Sequence, residues 1–367
     1  MDTLSFRAAQ LPELANLCYL DHAYRGPVTQ GARLAVDSAM ADAQRGRLAL
    51  AGQVASVEAA RSGVASLLGC AAEHVCWTAN TTAAIGAVAF GVDWRPGDRV
   101  LVHDDEVPGC VLPWQSLAKR GVVVESLPSR CGRLDLEDLA EVCRLRPPRW
   151  ICVALVALGT GQRRDLAQII SIAHSVGARV CVDVAQALGS IDVTSALRGA
   201  DAVAGCGRKW LCGPPEVGFL ALSSVVSEEL AVVSAGGGSV GSSGARRWEG
   251  GALAAIPLAG LGASLALLRR LGSPRVFEEV VLERSRELAT RGAEVGWAAL
   301  YPKAPHEQAG VVHFELPTAP ENLESRLEGR GVVVRVQGCR LRASPHVWTE
   351  SADLERLIQT VEEERSV

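Results

Sequence analysis

An α/β fold with a mainly parallel sheet is the class this sequence predicts, on two observations. From about residue 55 to 225, helical periodicity alternates with short apolar runs closed by polar residues or glycine. The 367 residues are 48% hydrophobic and 21% charged, globular usage that supports a large core and excludes a disordered chain.

Strands are expected at Arg99–His103, Val122–Leu127, Trp150–Leu155, Arg179–Asp183, Ala202–Cys206 and Val217–Leu222, each β-branched or apolar. Helices fall between them, as at Leu134–Arg144 and Asp165–Val176, where the period changes from two to 3.6. Glycine and serine dominate Ala235–Gly251, a composition that does not pack as regular structure, so a loop is expected there. Helices at Leu258–Leu271 and Arg275–Gly292, strands at Gly310–Leu316, Val332–Val336 and Arg340–Ala343, and a closing helix from Ser351 then describe a smaller α+β unit. The expected organisation is a large domain over 26–250 and a small C-terminal domain over 251–367, with residues 1–25 packing beside the latter.

A formal net charge of −4 and the lack of a long basic run argue against a nucleic-acid partner. No apolar run approaches about 20 residues and the first residues lack an export pattern, so neither a membrane span nor secretion is expected. The 11 cysteines, at 18, 70, 76, 110, 131, 143, 152, 181, 206, 212 and 339, are odd in number and show no CxxC spacing. They read as reduced, mostly buried thiols of a cytoplasmic protein, with no metal site. Only Lys119, Lys209 and Lys303 are lysines, so chemistry that needs a lysine amine has three candidates.

Three stretches carry chemistry. In Val180–Gly189 (VCVDVAQALG) an apolar strand delivers Asp183 and Gln186 at its carboxyl end, the edge at which open α/β sheets bind ligands; a plain helix cap is the alternative for Asp183. In Gly205–Pro215 (GCGRKWLCGPP) Lys209 sits on a glycine-flanked turn among Trp210, Leu211 and Cys212, where desolvation makes a lysine a usable amine. In Trp77–Ala84 (WTANTTAA) a strand end runs into a small-residue helix, so hydroxyls coincide with the free amides of a helix N-terminus, an anion site or an ordinary Asn cap.

Taken in this order and spacing, the three stretches resemble the class V aminotransferase and cysteine desulfurase group of fold-type I pyridoxal phosphate (PLP) enzymes. The resemblance extends over nearly the whole chain, through Tyr19–Ala23 (YLDHA), Pro113–Trp114, Gly161–Leu166 (GQRRDL) and Leu341–His346 (LRASPH). It implies PLP held by Lys209 as a Schiff base, with Lys209 then shuttling the substrate α-proton. Asp183 would pair with the pyridinium nitrogen and Gln186 with the ring hydroxyl. Asn80, Thr81, Thr82 and Cys206 would surround the phosphate, and Arg342 would grip the substrate carboxylate. His22, Tyr24, Trp114, Arg247 and Trp248 are candidates for the rest of the substrate pocket. The resemblance also implies a homodimer with sites at the subunit interface.

The sequence departs from that pattern in places. Glu106–Cys110 (EVPGC) puts Val107 or Pro108 where many relatives stack an aromatic or histidine on the cofactor ring. Ala157, Leu158 and Ala252 stand where polar residues are common. Cysteine desulfurases need a nucleophilic cysteine on a mobile loop before the carboxylate-binding arginine, but only Gln337–Arg340 (QGCR) separates Val336 from Leu341, so Cys339 is expected in a strand. The pattern looks more like the isopenicillin epimerase-like branch, with its carbon–sulfur lyases of ergothioneine assembly and PLP enzymes of lincosamide pathways. The expected activity is therefore β-elimination on an S-conjugated L-cysteine, releasing thiol, pyruvate and ammonia, in a setting such as antibiotic biosynthesis. Decarboxylation-coupled oxidative deamination, aminotransfer or epimerisation by the same site, and a non-catalytic scaffold, are the alternatives.

Overall fold

In a computed structural model, residues 3–46, 50–130 and 133–366 are described; Cys131 lies outside them. The chain runs through α1 (Thr3–Gln10), β1 (Cys18–Tyr19), α2 (Gln30–Ala43), α3 (Leu50–Leu68), β2 (Val75–Thr78), α4 (Thr81–Gly91), β3 (Arg99–His103), α5 (Pro108–Gln115), β4 (Val123–Leu127), α6 (Leu136–Leu145), β5 (Trp150–Ala154), α7 (Leu166–Ser175), β6 (Arg179–Asp183), β7 (Ala202–Cys206) and β8 (Gly218–Leu222). It continues through α8 (Ser224–Glu229), α9 (Ala255–Leu271), α10 (Pro274–Glu294), β9 (Ala298–Ala299), β10 (Val312–Glu315), α11 (Leu323–Gly329), β11 (Val332–Val333), β12 (Arg335–Gln337), β13 (Arg340–Ala343) and α12 (Ser351–Arg365).

Seven strands form the main sheet in the order β2-β8-β7-β6-β5-β3-β4, parallel except for β8, which runs antiparallel to both its neighbours. Side chains alternate across it, as the strand period requires. Val102, Cys152, Cys181, Ala204 and Leu220 pack with α4 and α5 on one face. Leu101, Val153, Val182, Val203 and Phe219 pack with α3, α7 and α9 on the other. Each fully buried Val, Leu or Phe contributes roughly 1.5–3 kcal/mol, so the two layers hold the sheet firmly. Cysteine serves here as a small apolar residue: all ten described cysteines are free, and only Cys70 and Cys339 are not fully buried.

Boundaries shift by a residue or so at Val122, Leu155 and Val217, which lie just outside their strands. A larger difference concerns Val332–Val336. The chain changes sheet at Val334: β11 pairs in parallel with β1, while β12 pairs antiparallel with β13 in the order β12-β13-β10-β9. Cys339 is not a strand residue but sits in the two-residue turn between β12 and β13, closed by the Gln337–Arg340 pair. Gly338 opens that turn at φ +59°, a conformation glycine adopts without strain.

The glycine-rich stretch forms two short 3-10 turns, Gly237–Ser239 and Gly244–Trp248. It is tied to the main sheet by Glu249, whose Oε1 accepts from Arg61 Nη1 (2.7 Å) and from the Trp77 amide (2.8 Å). Helix α9 then lies against α2 and α3, with Leu258, Leu261 and Leu265 in the core of the large sheet. At the N-terminus, Arg7 pairs with Asp353 of α12 at 2.8 Å, and Cys18 and Leu20 join the core under the four-stranded sheet. Among the described residues no single helix is long and apolar enough to cross a membrane.

Candidate active site

A cleft of about 650 Å³ opens at the carboxyl ends of β6 and β7, beside the start of α4. Its walls include Asn80, Thr81, Thr82, Asp183, Cys206, Lys209 and Arg342, which are drawn from positions more than 260 residues apart in the sequence.

Asn80 caps α4, its Oδ1 accepting from the Ala83 amide (2.9 Å). The cap satisfies one orphan amide of the first turn, and Thr81 and Thr82 of that turn line the cleft, so the cap and anion-site readings are compatible. Gly218 keeps this corner tight, since a Cβ there would lie 2.5 Å from the Asn80 Cα.

Asp183 ends β6, buried at 7% exposure. Its Oδ1 accepts from the Ala185 amide (2.7 Å) and its Oδ2 from the Cys110 thiol (3.2 Å), so the carboxylate is held from both sides. The Cys152 hydrogen bond, burial and the Asp183 charge together push the Cys110 thiol well above its usual range, so it remains a donor.

Lys209 is half-buried on the turn after β7. Its carbonyl accepts from the Cys212 amide (2.9 Å), and Cys212 takes φ +51°, which closes the turn. Gly26 lies over this turn, its amide donating to the Arg208 carbonyl (2.8 Å); a Cβ at Gly26 would meet the Lys209 carbonyl at 2.0 Å. Tyr24, on the same crossing segment, is flanked by the guanidinium groups of Arg208 (5.9 Å) and Arg335 (5.6 Å).

Arg342 comes from β13, where its Nη2 donates to Asp21 Oδ1 (2.9 Å) and its buried Nε has no partner among the described residues. Burial raises the Asp21 pKa against the pull of Arg342. With Arg25, Arg208, Lys209 and Arg342 facing Asp183 and Glu216, the cleft has a cationic excess that suits anionic groups such as phosphate and carboxylate.

Several expected contacts are corrected. Trp114 does not reach the cleft: it is fully buried beneath the sheet, edge-on to Trp94 and beside Trp150. His22 is also sealed in, packed with Trp210, His346 and Trp348, and burial lowers its pKa to about 4, so it is neutral there. Gln186 stands behind the wall, its Nε2 donating to the Ala23 carbonyl (2.8 Å) and its Oε1 accepting from Trp210 Nε1 (3.2 Å). Trp248 is buried against α4, and Arg247 donates to the Ser227 carbonyl. Val107 and Leu158 line the cleft, whereas Pro108 does not.

Arg25, Arg208, Glu216 and Cys110 were not singled out from the sequence. Arg208 had a signal in its place beside Lys209; Cys110 could be placed against Asp183 only by the tertiary fold.

The family's sequence pattern for aminotransferase class-V matches residues 29–354. The chain belongs to the class-V aminotransferase family. A probable cysteine desulfurase of Methanothermobacter thermautotrophicus is 29% identical over 334 residues, covering 84% of this chain and 83% of the relative. One of Pseudomonas aeruginosa is 35% identical over 236 residues, covering 60% and 58%. Among solved structures, a cysteine desulfurase from Thermococcus onnurineus superposes with a TM-score of 0.87 at 23% identity, covering 99% of this chain and 98% of that one. A cystine C-S lyase in complex with its product, cysteine persulfide, does so with a TM-score of 0.87 at 25% identity, covering 96% and 99%. The fold is thus the fold-type I PLP-enzyme fold, and the chain is an enzyme of a PLP-dependent family.

The residues present fit that cofactor: a buried carboxylate, a lysine amine and a helix N-terminus converge on one cleft. The donor set matches the group's basic ring nitrogen, aldehyde and phosphate in turn.

Proposed function

We propose that this protein is a carbon–sulfur lyase that cleaves S-substituted L-cysteine, cystine included, to a thiol or persulfide, pyruvate and ammonia, with water consumed. The carrying observation is the Gly338–Cys339 turn: Val336 and Leu341 are paired across the hairpin, so Cys339 has no loop on which to travel to the cleft. Among the described residues Cys206 is the only cysteine lining the cleft, fixed at the end of β7. A desulfurase that stores sulfur on a mobile thiol is therefore disfavoured, and the likeness to a cystine lyase supports elimination instead.

In this reading Lys209 anchors PLP, and bound PLP supplies an electron sink for the charge developing at the substrate α-carbon. Arg342, steadied by Asp21, binds the substrate carboxylate and so sets which α-bond faces the ring. Lys209 Nζ, released when the substrate amine takes its place on the cofactor, would then take the α-proton, and the thiolate would depart from the β-carbon. Asp183 would keep the ring nitrogen protonated, while the amides and hydroxyls of Asn80, Thr81 and Thr82, with Cys206, would hold the phosphate. Val107 and Leu158 exclude water from one wall.

The isopenicillin epimerase-like branch and a role in secondary metabolism are part of the same proposal, as is a homodimer. Exposed Phe90, Leu112 and Val233 line an apolar groove beside α4 and α5, a surface that a second copy would cover. Sedimentation giving a fully active monomer would remove the dimer. For the activity, S-methyl-L-cysteine, cystine and L-cysteine are each supplied to the PLP-loaded enzyme; pyruvate with an equal amount of methanethiol or of cysteine persulfide from the first two supports it, and no reaction with these but alanine with enzyme-bound sulfur from L-cysteine refutes it.

A further inference from the structure

The Cys110 thiol is fully buried at the start of the helix that follows Val107, and it reaches Asp183 Oδ2 at 3.2 Å. Behind it, in the same core layer, lie the buried thiols of Cys152 on β5 and Cys181 on β6, which are paired in register across the sheet. Among the described residues no other side chain bonds Asp183.

We infer that Cys110 is a positioning residue for the cofactor, whose S–H···Oδ2 bond fixes the Asp183 carboxylate and lowers its basicity, so that the proton shared with the ring nitrogen stays on the ring. This rests on the proposed pairing of Asp183 with that nitrogen. The physical reasoning is direct. A carboxylate at 7% exposure has lost most of its water and needs donors to remain charged. The Ala185 amide supplies one and occupies Oδ1; among the described residues the thiol is the only side-chain donor on Oδ2. Each oxygen has a second lone pair, so both bonds can persist while the ring nitrogen donates to the carboxylate. Removing the thiol proton makes the carboxylate the stronger base, and the shared proton moves toward it.

Two donorless variants, Cys110→Val of similar volume and Cys110→Ala, are compared with Cys110→Ser, which retains a donor. Each holoenzyme is loaded with PLP labelled with nitrogen-15 in the ring, and the ring-nitrogen resonance and the PLP dissociation constant are measured. Val and Ala should move the resonance toward that of neutral pyridine and weaken PLP binding about fivefold. Ser should stay at the wild-type position. A role in packing alone predicts the reverse ranking, with Val the best tolerated. Unchanged resonances in both donorless variants, or Ser indistinguishable from Ala, would overturn the inference. Asp183→Asn separates the two levels: if it leaves the resonance unmoved, the Asp183 pairing itself is wrong, whereas if it moves the resonance and Cys110→Val does not, only the role of Cys110 fails.

Discussion

Arg342 on β13 and Asp21, in the segment just after β1, are joined by an Nη2–Oδ1 hydrogen bond of 2.9 Å, and this bond aims a guanidinium from the small antiparallel sheet into a cleft built on the large parallel one. Arg342→Ala is expected to lower kcat/KM for an S-substituted cysteine by about 100-fold, through the lost charge-assisted bond to the carboxylate. Arg342→Lys should recover only part, because an ammonium lacks the planar two-pronged geometry. Steady-state kinetics decide; equal values for wild type and the alanine variant would remove Arg342 from substrate binding.

Among the described residues Lys209 is the only lysine lining the cleft. Lys209→Ala should leave no borohydride-fixable PLP and reduce turnover by at least about 1,000-fold. Peptide mapping after reduction checks this, and label on Lys119 or Lys303 would relocate the site.

Arg164 and Glu106, each with a side chain 2% exposed, form an ion pair at the end of β5. Glu106 also accepts from the Ala154 amide (2.9 Å), which fixes the turn that leads to Val107 and Cys110. Replacing Glu106 by Ala leaves a buried guanidinium short of a partner and should cost about 3–5 kcal/mol in denaturant unfolding. A loss under about 1 kcal/mol would mean that the pair is wetter than its burial indicates.

Two buried histidines give a pH signature. Burial lowers the pKa of both His22 and His313 from 6.5 to about 4. The unfolded chain therefore binds more protons between these values. The stabilising contribution is complete above pH 6.5 and is lost as pH falls toward 4, by up to about 3 kcal/mol per histidine. Melting temperatures from pH 7.5 to 4.5 should fall accordingly, and His22→Asn should flatten part of the slope.

Cys339 should be dispensable. Cys339→Ala is expected to keep the lyase rate within about twofold, as a turn residue outside the cleft would. A loss of 100-fold or more would restore the desulfurase reading.

The parallel sheet was legible because its strands are unbroken apolar runs, and Asp183, Lys209 and the α4 N-terminus were legible because each ends or follows such a run. What escaped was set by tertiary packing. Trp114 and His22 stand beside motif residues in sequence, yet their apolar surface is drawn into the core, which neighbouring position alone does not reveal. Gln186 is one turn from Asp183 but faces Ala23 and Trp210 instead. The change of sheet at Val334 was hidden because Val332–Val336 reads as one continuous strand.

The central claim is elimination at a carbon–sulfur bond, and mass spectrometry of products tests it most directly. The purified, PLP-loaded enzyme is incubated in air with an S-alkyl-L-cysteine. Free thiol with equimolar pyruvate and ammonia is the predicted result; an aldehyde one carbon shorter, formed with loss of carbon dioxide, would contradict it and establish oxidative decarboxylation.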